Sequence, residues 1–109
     1  MTAPLVNLEA LNTTLQAFVR ARGWEQYHSP KNLAMALTGE VGELVEIFQW
    51  LTEEESRTVA TNPATAVAVR DELADVLIYL VELASALGVD LNEAVTAKIA
   101  KNALKYPAP

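Results

Sequence analysis

The chain has 109 residues, a formal net charge of −6, no cysteine and 51% apolar residues. A chain this short supports one hydrophobic core, so residues 1–109 are expected to form a single domain. Its negative field opposes a phosphate backbone and leaves no general nucleic-acid partner. The missing cysteines remove disulfides and thiolate metal sites, and neither a cleavable leader nor an apolar run of bilayer length is visible, which points to a cytoplasmic protein without a membrane partner.

The first predicted helix runs from Leu8 to Arg22, where Leu8, Leu11, Leu15, Phe18 and Val19 recur at helical spacing between a capping Asn7 and a terminating Gly23. Trp24 to His28 has no sustained period. Ser29-Pro30 then sets a capping hydroxyl before a first-turn proline, opening a second helix from about Pro30 to Leu51. Glu53 to Pro63 is polar and broken. Thr61-Asn62-Pro63 signals a third helix, from about Ala64 to Leu87, which Gly88 ends. Asp90 and Glu93 form a capping box for a fourth helix reaching about Lys105, before Pro107. Four helices, each with an apolar stripe that needs a partner, predict an all-α four-helix bundle or half of a larger one. The apolar surplus, with Leu77, Ile78 and Val81 widening the third helix beyond a single stripe, predicts burial of a second face against another subunit.

Acids fall where solubility would not put them. On a wheel of about 100° per residue, Leu33, Leu37, Val41, Leu44, Ile47, Phe48 and Leu51 define one arc of the second helix. Glu40 projects within that arc and Glu43 lies at its edge, whereas Glu46 points away. On the third helix Glu72 stands at the margin of the stripe and Asp75 follows one turn later. A single acid-x-x-acid pair reads as a solvated face. Two such pairs on consecutive long helices would repel one another until a cation or protons neutralised them, and Arg70 points to the far side of its helix. Hard oxygen ligands without histidine or cysteine suit Mg2+, or Mn2+, and disfavour zinc. Both readings, solvated acids and a divalent-metal site, stand on this pattern alone.

The stretches His28-Ser29-Pro30-Lys31-Asn32-Leu33, Glu40-Val41-Gly42-Glu43-Leu44 with Phe48-Gln49-Trp50, and Asp71-Glu72-Leu73-Ala74-Asp75 through Tyr79 carry a resemblance. The sequence resembles the MazG-like all-α nucleotide pyrophosphohydrolases. It is most similar to their dCTP pyrophosphatase branch, through Gly23 to His28 and Asn102 to Tyr106-Pro107 as well. The resemblance implies a dimer of dimers with pockets at subunit contacts. It also implies Mg2+-dependent cleavage of a deoxynucleoside triphosphate, dCTP or 5-modified dCTP first, to the monophosphate and pyrophosphate, in cleansing the nucleotide pool. Glu40, Glu43, Glu72 and Asp75 would hold the metal and carry catalysis, Trp24 and Trp50 would flank the base, and Tyr79, Lys98 and Asn102 would lie near sugar and phosphates.

From the residues themselves, Trp24 in a polar loop is suited to stacking, while Trp50 serves core packing or stacking equally. His28 and Lys31 read as phosphate partners or as surface residues near a helix start, and Lys98 with Asn102 as triphosphate contacts or a solvated face. In one place the pattern departs. Leu15 stands where vertebrate members of the branch carry a histidine near the base, which removes a polar reader. The rival readings are a di-iron carboxylate bundle, which lacks its Glu-x-x-His pairs here, and a non-enzymatic helical oligomerisation module with solvated acids.

Overall fold

The computed structural model describes residues 7–109; of the expected domain 1–109, the first six residues lie outside the described part. All regular elements in it are helical: α1 (Leu8–Ala21), a 3-10 turn (Glu25–Tyr27), α2 (Pro30–Phe48), α3 (Glu53–Ser56), α4 (Ala66–Leu87) and α5 (Leu91–Lys105).

The punctuation acts locally as its chemistry requires. Asn7 Oδ1 accepts from the Ala10 N–H at 3.1 Å, and Ser29 Oγ from the Asn32 N–H at 3.2 Å, each satisfying a first-turn donor. Gly23 and Gly88 both adopt positive φ, 65° and 69°, and after each the chain folds back in the same double-bonded helix stop. In the first, Gly23 N–H donates to Arg20 O and Trp24 N–H to Val19 O. In the second, Gly88 N–H donates to Ser85 O and Val89 N–H to Ala84 O. The Gly23 stop brings Trp24 edge-on to Phe18, with ring centroids 5.8 Å apart.

Two boundaries and one cap differ from expectation. α2 ends at Phe48, three residues early, because Thr52 starts a further helix. Thr52 Oγ1 accepts from the Glu55 N–H at 3.1 Å and Glu55 returns a bond to the Thr52 N–H at 2.9 Å, so part of the stretch read as broken is α3. α4 begins at Ala66 rather than Ala64, since Asn62 turns the chain first by accepting from the Ala64 N–H at 3.0 Å. At α5, Asp90 accepts from the Glu93 N–H at 3.1 Å, while the return bond of a full capping box does not form.

α2 and α4 form the principal pair, and α1 lies more lightly on α4. Glu40 meets Glu72, and Leu33 faces the same cavity as Glu82, so α2 and α4 run antiparallel. Leu15, Val19, Leu33, Val59, Val69, Val81 and Ala84 make the small core. α5 buries no residue and does not close a bundle within the single chain. The radius of gyration, 16.7 Å, exceeds the roughly 13 Å of a compact chain of this length. Leu73, Leu77, Leu80 and Leu87 form an exposed stripe along α4, Val41 and Val45 another on α2. Of the three residues expected to form a second apolar face, Leu77 is exposed, Ile78 half-buried and Val81 part of the chain's own core, so the exposed face is carried mainly by Leu73, Leu80 and Leu87.

Candidate metal and substrate site

α2 and α4 bring three of the four expected acids together. Ligand oxygens of Glu40, Glu43 and Glu72 lie within 4.8 Å of one another. Asp75 is half-buried one turn further along α4, outside that group, and its charge acts on both Glu40 and Glu72. Glu46 is exposed, as its position on the wheel implies. Glu40 and Glu72 are half-buried, and each has one carboxylate oxygen, Oε2, that is fully buried without a hydrogen-bond partner. Among the described residues no lysine or arginine pairs with any of these acids; the ion pairs present are His28 with Glu82 and Arg57 with Glu54.

Electrostatics follow from that crowding. Desolvation, then the close approach of the Glu72 and Glu43 carboxyls and the charges of Glu43 and Asp75, push Glu40 up to about 7. Desolvation raises Glu72 as well, opposed by its closeness to Glu40 and reinforced by Glu43 and Asp75. Tyr79, half-buried one turn beyond Asp75, is raised by burial and then by the negative field of Glu40, Glu82, Asp75 and Glu43. Like charges this close need a shared proton or a cation. Two buried, unpartnered oxygens and an all-oxygen donor set fit a hard divalent ion.

The remaining expected residues distribute less tightly. His28, at the start of α2, turns its Nδ1 toward Glu82 Oε2 at 3.9 Å. Trp24 is 44% exposed and packs edge-on to Phe18, and the Arg22 guanidinium lies over both rings, 3.3 Å from the Phe18 centroid and 6.0 Å from that of Trp24. Trp50 is 87% exposed past the end of α2, so core packing is ruled out for it within the chain. Lys31, Lys98 and Asn102 are exposed and make no hydrogen bond or ion pair to the cluster. Leu15 is buried and does not line the cavity that Leu33 and Glu82 face.

Glu82 is a residue that sequence reasoning missed. It lies three residues after Tyr79 and seven after Asp75, continuing the Glu72-Asp75-Tyr79 stripe, and it is 6% exposed. That spacing, 72-75-79-82, was the available signal; the flanking Val81 and Leu83 masked it as a solvated position in an apolar run.

Antiparallel helices aim paired glutamates at one another across an all-α framework, an all-oxygen group that could hold a divalent metal ion. The chain belongs to the MazG-like family, whose model matches residues 36–109. It is 47% identical over 100 residues to dCTP pyrophosphatase 1 of Bos taurus, and 46% identical over 106 residues to dCTP pyrophosphatase 1 of Homo sapiens. Those alignments cover 92% and 97% of this chain and 59% and 62% of the mammalian proteins, so the chain spans about three-fifths of their length. A solved structure, a pyrophosphatase from Archaeoglobus fulgidus, superposes with a TM-score of 0.85 at 40% identity and covers 99% of both chains.

Proposed function

We propose that this protein hydrolyses a deoxynucleoside triphosphate, dCTP or a 5-modified dCTP first, to the monophosphate and pyrophosphate. One observation carries the reading: Glu40 Oε2 and Glu72 Oε2 are buried, unpartnered and joined with Glu43 in one oxygen cluster. The names of the mammalian and archaeal relatives support the reaction and the base. Glu40, Glu43, Glu72 and Asp75 would hold Mg2+, with Mn2+ as substitute. When bound, such an ion neutralises charge on the triphosphate oxygens and lowers the barrier to attack by water.

The chain's own residues supply the rest. Glu40 and Glu72 hold their facing oxygens in place on packed helices, so the donor set is formed before substrate arrives. Glu43, the exposed member of the trio, would take a proton from the attacking water. Tyr79 keeps its phenol proton and can donate to a substrate oxygen beside Asp75. Trp24 and Trp50 offer exposed rings for stacking on a base. His28, Lys31, Lys98 and Asn102 would meet the sugar and phosphates.

Lys98 and Asn102 stand on α5, away from its own chain's core, and the Leu73-Leu77-Leu80-Leu87 stripe is uncovered. Both features support a homotetramer, a dimer of dimers, in which neighbouring chains complete each pocket. No described helix is long and apolar enough to cross a membrane. We place the protein in the cytoplasm, where the nucleotide pool it would cleanse resides.

The test is pyrophosphate release from a panel of deoxynucleoside triphosphates. Release from dCTP with Mg2+, stopped by a chelator and lowered at least a hundredfold in Glu40→Gln and Glu72→Gln, is expected. A wild type that binds Mg2+ without releasing pyrophosphate from any nucleotide would refute the assignment.

A further inference from the structure

The stretch between α1 and α2 carries Trp24, yet little in its own packing fixes it. The 3-10 turn within it buries no residue, Tyr27 is 61% exposed, and so short a 3-10 piece has poorer hydrogen-bond geometry than an α-helix. Two polar contacts secure its ends. Trp24 N–H reaches back to Val19 O on α1, and Tyr27 O accepts from Asn32 Nδ2 on α2 at 3.0 Å. Among the described residues, one polar side-chain contact ties this stretch to α4: the ion pair of His28 Nδ1 with Glu82 Oε2, at 3.9 Å.

That pair is anchored at its α4 end. Outside the acidic cluster, it and the bond from Gln16 Nε2 to Ser85 Oγ, 3.4 Å long, are the polar side-chain contacts that join described residues far apart in sequence. Glu82 and Ser85 stand three residues apart on one face of α4, so Ser85 holds α1 while Glu82 holds the turn. Glu82 is buried and the His28 side chain is 22% exposed, which makes the carboxylate the fixed partner and the imidazole the movable one. Burial raises the Glu82 carboxyl and the charge of His28 opposes that rise, as a working pair requires. Glu25 is the other charged residue in the wall of the cavity they share, but it is exposed and stands on the turn itself, so it cannot tie the turn to α4.

Resting on the hydrolase reading, we infer that Glu82 is a positioning residue: through His28 it straps the turn to α4, holds Trp24 in place for the nucleotide, and so sets nucleotide affinity without touching the substrate. A side chain that stacks on a ligand binds it at lower cost when it is already held, because the ordering is done in folding and not on association. Loss of the strap leaves the α2 and α4 pair and its acidic cluster intact and loosens only the stretch from Gly23 to Ser29. Its effect therefore falls on binding and spares the chemical step.

The experiment pairs native-state hydrogen exchange with steady-state kinetics on dCTP, using the full chain with Mg2+. In Glu82→Gln the Tyr27 and His28 amides, which donate to Trp24 O and Glu25 O, should exchange about 3- to 10-fold faster, the scale of losing one partly exposed ion pair. KM for dCTP should rise by about the same factor, with kcat held within about twofold. Added to His28→Gln, Glu82→Gln should change KM no further, because the pair is already broken. Turn amides that exchange at the wild-type rate or slower overturn the inference. So does a fall in kcat with KM unchanged, or a KM rise as large in the His28→Gln background as in wild type. Should Glu82→Gln fail to fold, His28→Gln breaks the pair from its partly exposed side, and an unchanged Tyr27 amide then overturns it. Pyrophosphate release with unaltered KM removes the positioning role alone, whereas no release from any nucleotide removes the hydrolase reading and this one with it.

Discussion

Neutralising Glu40 should stabilise the metal-free protein at alkaline pH and leave it unchanged at acid pH. In the unfolded chain this carboxyl titrates near 4.5; in the fold, desolvation and its acidic neighbours push it up to about 7. Between those values the folded state holds a proton that the unfolded state has released, so stability falls as pH rises from about 4.5 to 7. The penalty is fully present above that window and absent below it. At 1.36 kcal/mol per pH unit, the difference sets a ceiling of about 3 kcal/mol. Glu40 is only half-buried and Glu43 beside it is exposed, and solvent screening lowers the figure to about 1–2 kcal/mol. Glu40→Gln removes the penalty. At about 4–8 °C per kcal/mol for a domain near this size, its melting temperature without metal should exceed that of wild type by roughly 5–15 °C at pH 8 and match it near pH 4. Thermal melts by circular dichroism, in chelator and at one protein concentration, measure this directly. An advantage of equal size at both pH values would refute the reasoning, because a gain without pH dependence would reflect packing and not a buried charge.

Mg2+ should reverse the order: at about a hundredfold over its Kd it adds roughly 2.7 kcal/mol to the wild type, and a melting curve of Glu40→Gln with Mg2+ should show little gain. Leu77→Asp, on the exposed stripe of α4, should convert the oligomer to a smaller species in sedimentation velocity and reduce pyrophosphate release, since Lys98 and Asn102 would no longer reach a neighbouring pocket. Leu33, 2% exposed between α2 and α4, should cost about 2–5 kcal/mol as Leu33→Ala in chemical denaturation. Thr52→Ala breaks the reciprocal cap of α3 and should cost about 1 kcal/mol by the same measure.

What could be read from the sequence was whatever local chemistry decides. Asn7, Gly23, Ser29-Pro30, Gly88 and Asp90 each act within a few residues of themselves, and the structure places helix ends at all of them. The inward turn of Glu40 was legible too, because a helix of fixed period aims every side chain once one apolar arc is known. Thr52 was legible in principle: Thr52-Glu53-Glu54-Glu55 is a capping box, hidden because three successive acids resemble a solvated loop. Asp75 shows the limit of a wheel. Periodicity puts it near the Glu72 face, but whether its oxygens join those of Glu40 depends on how α4 packs on α2, and that is decided by the Leu33, Val69 and Val81 contacts, far apart in sequence.

Glu82 and α5 escaped for a deeper reason. The spacing 72-75-79-82 marked the face of Glu82 but not its burial, which comes from α1 and the 3-10 turn folding over it and bringing Gln16 and His28 from more than fifty residues away. α5 poses the same problem one level up. Its cap and length are local, yet Val95, Ile99 and Leu104 remain exposed in the single chain, where the proposed tetramer would cover them. In the proposed tetramer, Lys98 on that helix would tie catalysis to assembly. Diluting the protein below its association constant should lower specific activity in step with the loss of oligomer, and activity per chain that stays constant across dissociation would show that each chain carries a complete site.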